Sequence, residues 1–458
     1  MSGETGDDQT CREAVARWLA AEPLWGRALA ALRDAGTPVY LVGGSVRDAL
    51  RGQPGVDMDL AVDGGGAIDG GAAIALGRWL ADRLGGAFYP MDREHDVARV
   101  ILSHNGVSYH IDLAGLRGQT ILQDLAARDL TVNAMGMALT EPLGPLLDPT
   151  GGRDDLARGR IRAAYPDAFA DDPVRMLRAL RLAGSLGMQL DPDTCALIRV
   201  QRDMLERVSA ERVRDELFLM LALDTTTPLR HALALGLLER ILPLPGQEGA
   251  LTGIAWIEAV RAESRWDETE AVYYARVRDL WRRPMVEERL RGALVGLAAL
   301  VAEVPATDRD GLAARLRLSG RERAHLGGVL ASLEDAVWDG DGEPGPVAAH
   351  RYYRRYGQAG VDGAMLAAHR PGAAPSHGRI AAYLLWAWFD AYGRIVEPPR
   401  LLQGHDLLRE FDLQPGPRIG RLLAALAEAQ ARGCVLTGEQ AREHMRRLVC
   451  LEHKGNRF

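Results

Sequence analysis

Residues 41–62 read LVGGSVRDALRGQPGVDMDLAV. The segment from Pro38 to Val42 predicts a short strand. Gly43-Gly44-Ser45 follows as a loop whose serine caps a helix running through Leu50. Val56 to Val62 alternates with period two, a second strand. Asp57 and Asp59 stand at i and i+2 on it, so both carboxylates leave one face of the sheet close together. Carboxylates held that close repel unless a proton or a cation separates them. Mg²⁺ takes oxygen ligands, commonly one or two carboxylates with substrate phosphates. An Asp-x-Asp alone is more often solvated than ligating, so its surroundings decide. Upstream, a glycine turn ending a strand and opening a helix turns bare N–H groups and a positive helix end toward an anion. Arg47, one turn in, reaches the same anion with a forked guanidinium. A lone Gly-Gly needs no more explanation than its φ angles. Together with the acids it describes one site, phosphates on the glycines and metal on the carboxylates.

Outward from this stretch, the first forty residues have helical spacing and stop at Gly36. Downstream come a glycine-rich turn from Gly64 to Gly71, an amphipathic helix (AAIALGRWLADRLG) and two strands, VARVILS and VSYHIDL. His104-Asn105-Gly106 between them is a hairpin signal. Asp112 lies on the second hairpin strand in step with His110 and Ser108; it supplies a third carboxylate to the metal site or ends the strand, and both readings stand. A helix from Ile121, a short strand (TVNAMGMAL) and a turn at Asp148 to Gly152 follow. From Asp172 nearly everything is helical, with breaks at Pro243-Leu244-Pro245-Gly246 and from Asp339 to Pro346. The fold class is α+β: a small head with a mixed sheet, then a long all-helical remainder.

The chain has 458 residues, 47% hydrophobic and 26% charged, enough for several cores. No run approaches a membrane span, and the start, MSGETGDDQT, is acidic and polar, unlike a signal peptide, so a cytoplasmic protein without a membrane partner is expected. Cys11, Cys195, Cys434 and Cys450 form no CxxC pair, so neither a zinc knuckle nor a disulfide framework is suggested. Among 55 basic residues Lys454 is the single lysine. Mechanisms needing an internal lysine (a P-loop, a protein kinase, a Schiff base) are therefore excluded unless Lys454 serves. Net charge is −7, but residues 349–458 hold 16 basic and 10 acidic residues, a net of +6, leaving −13 for the rest. In that basic end His350-Arg351-Tyr352-Tyr353-Arg354-Arg355-Tyr356 interleaves rings with arginines. The pattern suits RNA contact through Arg351, Arg354 and Arg355 with stacking on the rings, or equally an amphipathic helix with a buried tyrosine face; the charge favours RNA. His95-Asp96 and His405-Asp406 lack the further ligands of a metal phosphohydrolase.

The string from Leu41 to Val62 resembles the signature of the class II tRNA nucleotidyltransferase and bacterial poly(A) polymerase family, and four later segments agree in order. LAARDLTVNAMGM is similar to its ribose-contacting motif, LLDPTGGRDDLARGRIR to its hinge, DDPVRMLRALRLAGSLGMQL to its base-reading helix and SAERVRDEL to the helical motif after it. The likeness is close over residues 38–220, with a weaker one at GHDLLREFDLQPGPRIGRLL. It implies a polymerase-β-like head over 1–150, a helical neck over 151–245, a body over 246–345 and a basic RNA-binding tail over 346–458. Asp57 and Asp59 become the catalytic Mg²⁺ ligands, with Asp112 beside them. Gly43, Gly44 and Arg47 hold the triphosphate, and Arg128, Asp129 and Asn133 surround the sugar and phosphates. Asp172, Arg175 and Arg178 lie on the base-reading helix. The implied reaction is transfer of CMP or AMP from CTP or ATP to the 3′ end of tRNA with loss of pyrophosphate, without an obligate protein partner.

Base reading also has a chemical argument. Asp172 and Arg175, three apart at a helix start, face one side. A carboxylate accepts from the amino group of cytosine or adenine while a guanidinium donates to the adjacent ring nitrogen; uracil and guanine reverse both contacts. Each good pair is worth roughly 1–3 kcal/mol of discrimination. The plainer account makes Asp172 an N-cap before Pro173.

Three departures from the family stand out. Ala127 replaces an arginine before Arg128, Asp171 replaces the usual glutamate before Asp172, and only fifteen residues separate Asp112 from Arg128. Many members that complete the whole CCA end carry a longer flexible segment there, so addition of CC alone stays open. So do an A-adding enzyme or poly(A) polymerase, and a non-catalytic RNA-binding descendant, disfavoured because both Asp57 and Asp59 are present.

Overall fold

The computed structural model describes residues 2–64, 71–262 and 268–455. Residues 65–70 of the expected glycine-rich turn, and the side chain of Lys454, lie outside the described residues. The chain forms two compact units, Met1–Ser209 with Leu235–Leu237 and Ala210–Ala234 with Leu238–Phe458.

In the first unit α1 (Ser2–Ala21) and α2 (Pro23–Asp34) precede β1 (Val39–Val42), α3 (Gly43–Leu50) and β2 (Asp57–Val62). Next come α4 (Ala72–Leu84), β3 (Ala87–Asp92), β4 (Val97–His104), β5 (Val107–Gly115), α5 (Ile121–Ala126), β6 (Gly136–Ala138) and β7 (Leu146–Leu147). These seven strands form one mixed sheet in the order β3-β4-β5-β2-β1-β6-β7. β2 and β5 run parallel, with Asp57 opposite His110 and Asp59 opposite Asp112; the other neighbours are antiparallel. The β4–β5 hairpin turns at Asn105 and Gly106, φ 51° and 78°, the left-handed values an Asn-Gly pair accepts. Period two sorts each strand. Met58, Leu60, Ile111 and Leu113 join the main core with Leu41, Trp25 and Leu80, each burial contributing roughly 1.5–3 kcal/mol. Val42, Ala61 and Leu125 make a small cluster on the opposite face, where Asp57 and Asp59 also project.

Three details differ from the sequence reading. Ser45 does not cap α3: the helix starts two residues earlier at Gly43, and the serine hydroxyl is spent on β2. Thr131–Asn133 is a 3-10 turn rather than part of a strand, which resumes at Gly136. β3 was not anticipated; it is a mostly exposed edge strand containing Pro90, and its composition carries no strand signal.

The unit ends with α6 (Gly152–Ala157), β8 (Arg160–Ile161), α7 (Ala168–Asp171), α8 (Val174–Leu186), β9 (Gln189–Leu190) and α9 (Pro192–Gln201). Asp148 caps α6, accepting from the Gly152 and Arg153 N–H groups at 2.7 and 3.0 Å.

The second unit runs through α10 (Ala210–Ala222), α11 (Thr227–Ala234), α12 (Leu238–Ile241), α13 (Gly246–Arg261) and α14 (Glu268–Trp281). A hairpin, β10 (Pro284–Val286) and β11 (Arg289–Leu290), leads to α15 (Arg291–Val301), α16 (Ala306–Arg315), α17 (Gly320–Ser332), α18 (Gly345–Tyr356) and α19 (Ala359–Ala368). α20 (Pro375–Phe389), α21 (Gly404–Glu410), α22 (Pro417–Ala431) and α23 (Gly438–Gly455) follow. α15 is buried from Ala293 through Val301, as an all-apolar helix must be. Buried Asp362 takes both Nε and Nη2 of Arg291, the Trp281 indole N–H and His325 Nε2, the partners a charge needs away from water.

On α18 the ring-and-arginine segment resolves by face. Tyr352 and Tyr353 are core residues whose hydroxyls donate to Gly360 O and Leu384 O, so neither stacks on a nucleobase. Arg351 and Arg355 lie on the exposed face, paired with Glu428 and Asp335.

Candidate active site

The site is built where β1 passes into α3. Gly43 has φ +66°, and a Cβ there would stand 2.9 Å from Arg128 Nη1 and 3.4 Å from Asp59 Oδ2. A Cβ on Gly44 would stand 3.2 Å from Asp59 Oδ2 and 3.3 Å from Arg47 Nη2. The missing side chains are thus what lets a carboxylate and two guanidinium groups meet bare backbone. Ser45 locks the helix to the strand of acids: the Asp59 N–H donates to its Oγ at 2.7 Å, and the hydroxyl donates to Asp57 O at 3.3 Å.

Asp59 is half-buried and flanked by acids. Burial, then Asp112 across the parallel register, then Asp57 push its carboxyl above the usual carboxylate range, against the pull of Arg128 and Arg47. Asp57 is exposed, with Oδ1 3.0 Å from His110 Nδ1. Asp112 has a partner of its own: Arg99 on β4 donates Nε and Nη2 to its two oxygens at 2.7 and 2.8 Å. Among the described residues no three His, Cys, Asp or Glu side chains are grouped to hold a metal ion. Asp57 and Asp59 leave one face of β2, and burial together with the neighbouring carboxylates raises the Asp59 carboxyl, a repulsion that a hard cation would relieve.

Cations line the other side. Asp124, 2% exposed, accepts from Arg128 Nε and Nη2 at 3.2 and 3.0 Å, leaving Nη1 beside Gly43. Arg47 gives Nε and Nη2 to Asp48, 2.9 Å each, and Nη1 to Asn133 Oδ1 at 2.6 Å. Asn133 Nδ2 reaches Asp129 Oδ1 at 3.4 Å, and Arg178 of α8 donates to Asp129 Oδ2 at 3.2 Å. Gly43, Gly44, Arg47, Asp59, Arg128, Asp129, Asn133 and Arg178 thus form one continuous set, flanked by Asp57 and Asp112. Asp172 does not cap α8, whose N-cap is Pro173; its Oδ2 lies 3.9 Å from Arg175 Nε. Arg351, Arg354 and Arg355 belong to the second unit.

Residues 39–162 match the poly A polymerase head domain family, and residues 187–247 the probable RNA and SrmB-binding site of polymerase A. A CC-adding tRNA nucleotidyltransferase of Geobacter sulfurreducens is 34% identical over 431 residues, 90% of this chain and 92% of that one. The chain belongs to the tRNA nucleotidyltransferase family. An A-adding tRNA nucleotidyltransferase of Deinococcus radiodurans is 33% identical over 454 residues, covering 89% and 94% of the two chains. A solved CCA-adding enzyme in complex with ATP superposes with a TM-score of 0.70 at 21% identity, covering 95% of this chain and 98% of that one, so the fold extends along the whole length.

In this tRNA nucleotidyltransferase-family chain, several organising residues escaped the sequence reading. Ser45 has the identity of a cap but bonds β2, and Asp124 sits inside a helix with no spacing signal; its one clue is the i, i+4 relation to Arg128. Asp155, fully buried, accepts from Thr131 Oγ1, Arg160 and Arg162, tying the 3-10 turn to α6 and to the strand segment around β8. The two His-Asp dipeptides are structural: Asp96 caps α4 through the Ala73 and Ile74 N–H groups, and Asp406 forms a capping box with Gln403. No helix among the described residues is long and apolar enough to cross a membrane.

Proposed function

We propose that this chain is a tRNA 3′-end nucleotidyltransferase that transfers nucleotides from CTP, ATP or both to the tRNA 3′-hydroxyl and releases pyrophosphate. The observation that carries it is the meeting of the Asp57–Asp59 pair with the Gly43-Gly44 turn, Arg47 and Arg128. Nucleotidyltransferases generally use a divalent metal ion; Mg²⁺ is our assignment, held by Asp57 and Asp59. Bound there, such an ion lowers the pKa of a coordinated hydroxyl and offsets charge on phosphate oxygens. The protein's own groups position the rest. The α3 N-terminus and the Gly43 and Gly44 backbone receive phosphate oxygens, and Arg47 and Arg128 offset the charge gathering on departing pyrophosphate. Asp129 and Asn133, braced by Arg178 and Arg47, present polar atoms to the ribose. Asp172 and Arg175 read the base edge. We assign residues 1–150 to the catalytic head, 151–245 to the neck, 246–345 to the body and 346–458 to an RNA-binding tail with Arg351, Arg354 and Arg355 on its surface. Work on tRNA fits a cytoplasmic location.

Within this class we favour addition of CC. β5 ends at Gly115 and α5 begins at Ile121, so only residues 116–120 join them, too few for the long flexible segment of many enzymes that complete the CCA end. The test incubates the protein with Mg²⁺, each labelled NTP and tRNA lacking one, two or three terminal nucleotides. Addition of two C residues and no A is expected. A added to tRNA ending in CC would make it an A-adding enzyme, a full CCA end would refute the CC limit, and no transfer at all would leave an RNA-binding protein.

A further inference from the structure

We propose that Tyr165 is a positioning residue for base choice, its phenol linking Asp171 to Arg175 and fixing the direction in which that guanidinium meets the incoming base. The inference rests on the base-reading role given above to Asp172 and Arg175.

The geometry is local. α7 closes at Asp171, and α8 opens after the Asp172-Pro173 corner, where the Arg175 N–H donates to Asp172 O at 3.1 Å. The Tyr165 hydroxyl donates to Asp171 Oδ2 at 2.6 Å and accepts from Arg175 Nη1 at 3.0 Å. The same Nη1 reaches Ala168 O at 3.4 Å. Arg175 Nε is 3.9 Å from Asp172 Oδ2, an ion pair but too long for a hydrogen bond. The contacts that aim Arg175 therefore come from the Tyr165 hydroxyl and the Ala168 carbonyl, while Asp172 contributes charge without fixing direction.

Why a tyrosine is needed follows from position 171. Aspartate keeps the charge of a glutamate but is one methylene shorter, and the phenol supplies the missing reach. It accepts from a cation and donates to an anion, so each bond polarises the other. Burial, then the bond to Asp171, raise the phenol further above its ordinary range, so it stays a donor at any working pH. Without the hydroxyl, Arg175 loses its bridge to Asp171 and a long, rotamer-rich side chain is released to swing away from its productive angle.

Tyr165→Phe removes the hydroxyl and keeps the ring. The expected result is a roughly tenfold fall in the ratio of kcat/KM for CTP to that for UTP, the size of one hydrogen bond to a charged group. The loss should lie in KM for CTP, with kcat and Tm nearly unchanged, a split that a purely structural role would not produce. Asp171→Asn should give the same loss, and the double variant should be no worse than either alone because all act through one relay. Additive losses, or an unchanged ratio in Tyr165→Phe, would overturn the proposal. Arg175→Ala, measured in parallel, separates this failure from the larger one: an unchanged ratio there removes the base-reading role itself and Tyr165's with it.

Discussion

Asp124 holds Arg128 by two of its three guanidinium nitrogens and leaves Nη1 at the Gly43 turn. A free arginine would have to give up rotamer freedom each time a triphosphate arrived; here the buried carboxylate has already restricted it. Asp124→Asn keeps the shape but turns a donor toward the fork. Its KM for nucleotide should rise about tenfold, the worth of a charge-assisted hydrogen bond, with a smaller change in kcat. Steady-state kinetics with CTP checks this, and an unchanged KM would mean that Arg128 keeps its place without Asp124.

The burial of Asp59 and its crowding by Asp112 and Asp57 predict a pH signature. A protonated Asp59 is no metal ligand, so transfer should rise with pH through a carboxyl held above its usual range. Asp112→Asn removes the larger of the two repulsions and so lowers that carboxyl, and the acid limb of kcat/KM should move to lower pH. Loss of all activity in Asp112→Asn would instead make Asp112 a ligand. The sign for stability follows from linkage. A carboxyl raised in the folded state contributes stability present below its unfolded pKa, and that contribution is lost as pH rises through the folded one. Asp59→Asn should accordingly raise Tm of the metal-free protein near neutral pH while reducing transfer by about a thousandfold or more. Thermal melts and turnover on the same preparation test both halves.

Much of the head was readable because its signals are local. Period two placed Asp57 and Asp59 on one face, and Asn105-Gly106 fixed the β4–β5 hairpin that carries Asp112. What could not be read is long-range pairing. Nothing near Asp59 in the chain announces Asp112, which faces it only through the parallel β2–β5 register, and nothing near Asp129 announces Arg178 on α8. The same limit misread Ser45, which has a cap's identity and position but finds a better acceptor and donor on β2. β3 stayed hidden because an exposed edge strand needs no alternation of its own when β4 supplies the pairing.

Gly43 and Gly44 predict opposite kinds of damage. Gly43 combines φ +66° with a would-be Cβ 2.9 Å from Arg128 Nη1. Gly43→Ala should cost about 1–2 kcal/mol in stability from the left-handed backbone alone and should also raise KM for nucleotide as Arg128 is pushed aside. Gly44 has no such φ, and its Cβ would meet Asp59 Oδ2 at 3.2 Å and Arg47 Nη2 at 3.3 Å. Gly44→Ala should therefore leave Tm nearly unchanged and, under the roles proposed for Asp59 and Arg47, lower kcat/KM by displacing both side chains. Equal Tm losses in the two variants would contradict this division.

The basic helix α18 offers a test that separates core from surface. Tyr352 is 1% exposed and its hydroxyl donates to Gly360 O at 2.9 Å, so Tyr352→Phe leaves a buried carbonyl short of a donor and should lower stability by about 1–2 kcal/mol. It should not change tRNA affinity, because no nucleobase reaches the ring. Arg354 lies on the exposed side of the same helix, where Arg351 already answers to Glu428 and Arg355 to Asp335. Arg354→Ala should keep Tm within about 0.5 kcal/mol of the parent, as surface changes usually do. If α18 contacts RNA phosphates, the same variant should weaken tRNA binding and reduce by about one the slope of log affinity against log salt. An unchanged salt slope would remove Arg354 from the RNA surface; an affinity loss in Tyr352→Phe at unchanged stability would put the tyrosine back on it.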